Sequence, residues 1–142
     1  LQARKLGVRV NTSIEPGLAP ALCDRTMVEQ VLLNLARNAM QAMDDPGVRN
    51  RVLDIRVRRA ASNPHNGWIE FAVTDVGTGI PPEVAEKLFT PFFTTRPEGM
   101  GLGLSMCRTV IEQHGGFLRF APNEPHGTVF TFTLPVNNGA TS

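Results

Sequence analysis

The chain has 142 residues, enough for a single domain that buries about two-thirds of the surface its unfolded form exposes. With 42% hydrophobic and 19% charged residues, it has no apolar run of membrane-span length and no secretory leader, so the cytoplasm is the expected compartment. The net charge is only +1, and the arginines of "RVRR" (56–59) sit in a strand-type pattern that reads as a solvated face, so no nucleic-acid partner is expected. Cys23 and Cys107 lack ligand-spaced neighbours and read as reduced thiols. The first residue is Leu, not Met, which suggests a piece excised from a longer protein.

In chain order, "LGVRVNTSI" (6–14) alternates weakly and ends at Pro16 and Gly17, as an edge strand followed by a turn does. Asp24 is placed to cap a helix running to about Met43 and stopped by "DDPG" (44–47). On it Val28, Leu32, Leu35, Ala39 and Ala42 recur at helical spacing and predict a core stripe, with Asn34, Asn38 and Gln41 on a neighbouring polar arc. "VLDIRVRR" (52–59) and "WIEFAVTD" (68–75) alternate as half-buried strands. "PPEVAEKLF" (81–89) predicts a short helix with its prolines in the first turn. "TTRPEGMGLG" (94–103) breaks all periodicity, and a second amphipathic helix follows from about Leu104 to His114, closed by Gly115 and Gly116. "GFLRFAP" and "TVFTFTLP" form two final strands around "NEPHG", and 136–142 reads as a frayed tail after a domain of 1–135. These elements predict an α+β fold, a two-layer sandwich with about three helices on one face of a mixed, largely antiparallel sheet of about five strands, its far face toward water.

Four features carry possible chemistry, and each has a plainer reading. Asn34 and Asn38, four residues apart, either cap loops or present neutral oxygens of the kind that ligate Mg²⁺ already held by phosphates. "DVGTG" (75–79) is either a tight turn or a carboxylate at a strand mouth, where glycines let the main chain lie against a flat ligand bearing an amino group. "EGMGLGLS" (98–105) is either a linker or a phosphate cradle of bare N–H groups before a helix. "FTPFFTTR" (89–96) is either a satellite cluster under a loop or a lid, anchored by Phe92 and Phe93, that brings Arg96 near phosphates.

Taken in this order, N-x-x-x-N on a helix, D-x-G-x-G after a strand, F-T-P-F-F and G-x-G-L-G-L before a helix, the chain strongly resembles the ATP-binding catalytic domain of sensor histidine kinases. That domain belongs to the wider Bergerat-fold ATPase group that includes type II topoisomerases and Hsp90-type chaperones. The resemblance covers about residues 5–135: "VEQVLLNLARNAMQAM" is similar to the N box, "DVGTGI" to the G1 box, "LFTPFFTTR" to the F box and "GMGLGLS" to the G2 box. It implies that Asp75 binds the adenine amine, that Asn38 coordinates Mg²⁺ with Asn34 beside it facing the phosphates, and that Gly77, Gly79 and Ile80 line the base pocket with Thr128 nearby. It further implies that Gly99, Gly101 and Gly103 form the phosphate lid, with Phe92, Arg96, Leu102 and Leu104 contributing to the nucleotide site. Many members carry Lys or Tyr shortly after the second Asn, where this chain has Gln41 and Ala42; its form looks more like the nitrogen-, oxygen- and dicarboxylate-sensing branch.

Hydrolytic relatives use a glutamate one turn before the metal-binding Asn. Here that position is Asn34, whose amide cannot take a proton from water at neutral pH, so transfer of the γ-phosphoryl group to an acceptor elsewhere is expected rather than hydrolysis. In such kinases the acceptor is a histidine followed by an acidic residue on a two-helix dimerisation domain. His65, His114 and His126 are followed by Asn66, Gly115 and Gly127, and none fits. The resemblance thus implies an upstream phosphoacceptor domain, a response regulator reached through it, and a monomeric domain within a homodimeric protein. A hydrolytic ATPase, a serine-directed kinase of the anti-sigma type and a non-catalytic nucleotide-sensing module are the alternatives.

Overall fold

The computed structural model of the protein describes residues 7–18, 21, 23–60, 67–90 and 103–136. The long helix α1 (Arg25–Met43) starts where the sequence places it: the Asp24 carboxylate accepts a 3.1 Å hydrogen bond from the Met27 N–H, satisfying one of the orphan donors of the first turn. Helix α2 (Pro82–Ala85) is shorter than the expected 81–89. After its first turn the chain tightens into three-residue hydrogen bonds, Lys87 N–H to Val84, Leu88 N–H to Ala85 and Thr90 N–H to Lys87. Helix α3 (Gly103–Gln113) ends in a Schellman pattern, with Gly115 at φ +85° and Gly116 N–H returning to the Ile111 carbonyl at 3.0 Å.

The strands are β1 (Arg9–Ile14), β2 (Val52–Ala60), β3 (Trp68–Thr74), β4 (Leu118–Pro122) and β5 (Thr128–Pro135), in the spatial order β1-β2-β3-β5-β4. Only β1 and β2 run parallel, because α1 supplies the long crossover such a pair needs; the other pairs are antiparallel. The β3–β5 register sets Ile69 opposite Leu134, Phe71 opposite Phe132 and Val73 opposite Phe130. This is the face the helices cover, and Phe71 and Phe132 stack on it at 4.6 Å. The other face is polar, with Arg58 and Glu70 paired at 2.8 Å.

The core lies between α1, α3 and the sheet. Leu35, Met43, Ile111, Phe132 and Leu134 have no exposed surface, and burying each such side chain contributes about 1.5–3 kcal/mol. The stripe on α1 is rotated from the expected one. Val28, Leu35 and Ala39 are buried as predicted, but Val31, Ala36, Met40 and Met43 complete the stripe, while Leu32 and Ala42 are only half-buried. Spacing alone gives the period but not its phase, and here α3 and the sheet together draw the helix round, turning Ala42 toward the mouth of β3. Among the described residues no helix is long and apolar enough to cross a membrane. Val136 pairs with Ala21, and the rest of the expected tail lies outside the described residues.

Candidate functional site

Asp75 follows directly on β3 and is 2% exposed. Its Oδ1 accepts hydrogen bonds from Gly77 N–H at 2.8 Å and Thr128 N–H at 3.2 Å. Its own N–H donates to the Thr128 carbonyl at 2.9 Å. Burial pushes the Asp75 carboxyl above its ordinary range, while the two backbone donors and the positive potential of His126 pull the other way. No buried side-chain oxygen among the described residues lacks a partner, and both bonds to the carboxylate fall on Oδ1. Oδ2 is therefore the oxygen open to a ligand.

Asp75 forms part of the wall of a cavity of about 280 Å³, close to the lower end of ordinary small-molecule sites. Asn38 and Ala42 line it from α1, Gly79, Ile80 and Pro81 from the turn after Asp75, and Val84 and Leu88 from α2 and its continuation. Leu104 of α3 and Thr128 and Phe130 of β5 close the other side. One carboxylate, one amide and the threonines Thr78 and Thr128 among apolar walls suit a flat heterocycle carrying an amino group.

Two glycines make the turn possible. A Cβ on Gly77 would stand 2.6 Å from the Ala42 carbonyl oxygen, so the end of α1 and the turn can touch only if residue 77 has no side chain. Thr78 N–H then donates to that same carbonyl at 3.3 Å. Gly79 has φ +83°, the left-handed region that other residues avoid.

Of the residues expected from the sequence, Asn38, Asp75, Gly79, Ile80, Leu104 and Thr128 meet at the cavity, and Gly77 shapes it from behind. Asn34 is not among the lining residues. It lies beside the Cys107 thiol of α3, whose pKa burial pushes up to about 11 while Asn34 pulls it down; the thiol itself donates to the Val31 carbonyl at 3.9 Å. Gly103 is the exposed first residue of α3. Phe92, Arg96, Gly99, Gly101 and Leu102 lie outside the described residues. The walls Ala42, Thr78, Pro81, Val84, Leu88 and Phe130 were missed as site residues. Ala42 had a readable signal, four positions after Asn38 and so on the same helix face.

The family model of the histidine kinase-, DNA gyrase B- and HSP90-like ATPases matches residues 23–138. The chain belongs to that family. Within it, the similarity is to sensor histidine kinases: 41% identity over 134 residues to the C4-dicarboxylate transport sensor protein DctS of Rhodobacter capsulatus and 41% over 133 residues to the sensor protein FixL of Bradyrhizobium diazoefficiens. Each alignment covers 94% of this chain but only 20% and 25% of those relatives, so the histidine kinase catalytic domain seen here spans about a quarter of their length or less. The solved catalytic domain of the histidine kinase ThkA superposes with a TM-score of 0.78 at 34% identity, covering 95% of this chain and 83% of that one. The chain is thus the ATP-binding domain of a histidine kinase.

Proposed function

We propose that this domain binds ATP with Mg²⁺ and donates the γ-phosphoryl group to a histidine on a separate phosphoacceptor domain. The observation that carries the reading is the open Oδ2 of Asp75 at the cavity wall with the Asn38 amide lining the same cavity. Asp75 accepts the exocyclic amine, Ile80, Val84, Leu88 and Phe130 sandwich the base, and the γ-phosphate extends past Asn38 toward the start of α3.

The donor set agrees with a nucleotide-borne ion. No group of three or more His, Cys, Asp or Glu capable of holding a metal occurs among the described residues, and Asn38 offers the neutral oxygen that Mg²⁺ accepts when phosphates supply most of its ligands. Bound there, Mg²⁺ would neutralise charge on the transferring phosphates. The chain's own residues bind and orient; none described at the cavity is placed to deprotonate water, because the one carboxylate lining it is fixed at the adenine end.

The acceptor lies elsewhere in this reading. His114 donates from Nδ1 to the Val110 carbonyl at 2.7 Å and accepts Asp24 N–H on Nε2 at 2.9 Å, so both ring nitrogens are engaged. Residues 1–135 form the catalytic domain, monomeric alone, in the cytoplasmic part of a homodimeric sensor that passes phosphate to a response regulator.

The test is incubation with γ-labelled ATP and Mg²⁺, with and without an added two-helix phosphoacceptor domain from a sensor kinase of the DctS or FixL kind. Acid-labile label on the added domain alone is the expected result. Stable label on this chain, or free phosphate released at the same rate with and without acceptor, refutes it.

A further inference from the structure

The hairpin between β4 and β5 (123–127) holds the back of the Asp75 turn. Asn123 donates from Nδ2 to the Asp75 carbonyl at 2.9 Å, and its own N–H donates to Gly127 O at 3.0 Å, closing the hairpin on itself. His126 Nδ1 lies 3.1 Å from the Gly77 carbonyl; a carbonyl can only accept, so the imidazole carries its proton on Nδ1 there. Gly127 packs backbone against backbone on Asp75, where a Cβ would collide with the Asp75 carbonyl oxygen. Thr128, the next residue, donates to Oδ1.

The turn from Asp75 to Gly77 is thus gripped at its first and last carbonyls by two side chains that do not line the cavity themselves. Its other support is the end of α1. A carboxylate that accepts two N–H groups on one oxygen can aim the second oxygen only if the turn that follows it is fixed.

We infer that Asn123 and His126 are positioning residues for nucleotide recognition: by holding the carbonyls of Asp75 and Gly77 they aim the free oxygen of Asp75 at the exocyclic amine of adenine. This rests on the ATP reading above. His126 is exposed, so its substitution removes the grip without opening the core.

The experiment compares the affinity of the full chain for ATP and for purine riboside 5′-triphosphate, which lacks the exocyclic amine, in the presence of Mg²⁺. The wild type is expected to prefer ATP by about tenfold, the value of one hydrogen bond to a charged acceptor at the low end of its range. His126→Phe and Asn123→Asp each should shrink that preference toward unity by weakening ATP more than the analogue. His126→Asn, whose amide can replace the Nδ1–H donor, should retain most of it. A purely structural role would weaken both nucleotides alike and leave the ratio intact; a ratio unchanged in both His126→Phe and Asn123→Asp overturns the inference while leaving the ATP reading standing. A wild type that binds both nucleotides equally overturns the assignment of Asp75 to the amine, and this inference with it; a wild type that binds neither overturns the ATP reading itself.

Discussion

Asp75→Asn separates the proposed recognition role of this residue from its structural one. Asparagine has the same shape, and its Oδ1 can still accept Gly77 N–H and Thr128 N–H, so the turn after β3 keeps both of its anchors. What changes is the second atom, from the open Oδ2 to an NH₂ group, so a donor now confronts the amine of adenine. A hydrogen bond to a charged acceptor contributes about 1.5–3 kcal/mol, and at 1.4 kcal/mol per tenfold its loss weakens ATP binding by roughly 10- to 150-fold. The unliganded protein should respond in the opposite sense. Burial holds the Asp75 carboxyl above its ordinary pKa, so the folded state binds a proton more tightly than the unfolded chain. Stability therefore falls as pH rises from the ordinary carboxylate value through the raised one, and above that the full penalty is present. The asparagine variant carries no such penalty, so its melting temperature should equal or exceed the wild type's at pH 7 and lose that advantage at acid pH. Calorimetric titration with ATP and thermal melts across pH 4–8 measure both. An ATP affinity within twofold of wild type, or a melting temperature at pH 7 lower by many degrees, refutes the reasoning.

Two further outcomes follow from the packing. Gly77→Ala should destabilise the fold by about 1–3 kcal/mol and weaken ATP together, because the added Cβ must push the turn off the Ala42 carbonyl, which is backbone and cannot rotate away; a denaturant titration paired with ATP binding checks it, and a neutral result on both removes the close approach from the account. Cys107, fully buried with its thiol held near pKa 11, should be only about one part in a thousand thiolate at pH 8 and resist alkylation in the native protein, reacting only on unfolding; mass spectrometry of the alkylated protein, followed with and without denaturant, reads this directly.

The start of α1 and the end of α3 were legible from local chemistry, because a cap is a contact between near neighbours: Asp24 with Met27, Gly115 and Gly116 with the last turn of α3. Strand alternation likewise exposed β2, β3 and β5, and the order of the four boxes pointed to an ATP site before any contact was known. Asp75, Asn38 and Thr128 do meet, and Phe92, Arg96, Gly99, Gly101 and Leu102 lie outside the described residues. The tertiary structure alone decided the rest. It set the phase of the α1 stripe, so Ala42 meets Gly77 and not the centre of the core, and it set Asn34 beside Cys107. It also brought Asn123 and His126, which read as ordinary turn residues, onto the carbonyls of Asp75 and Gly77. Residues nearly fifty positions apart become neighbours only through the antiparallel register of β3 and β5, which sets Thr74 against Val129 and delivers the hairpin to the back of the site. Periodicity and turn chemistry encode which atoms a segment buries, while the identity of the atom across the gap depends on the pairing of strands, a property of the folded sheet.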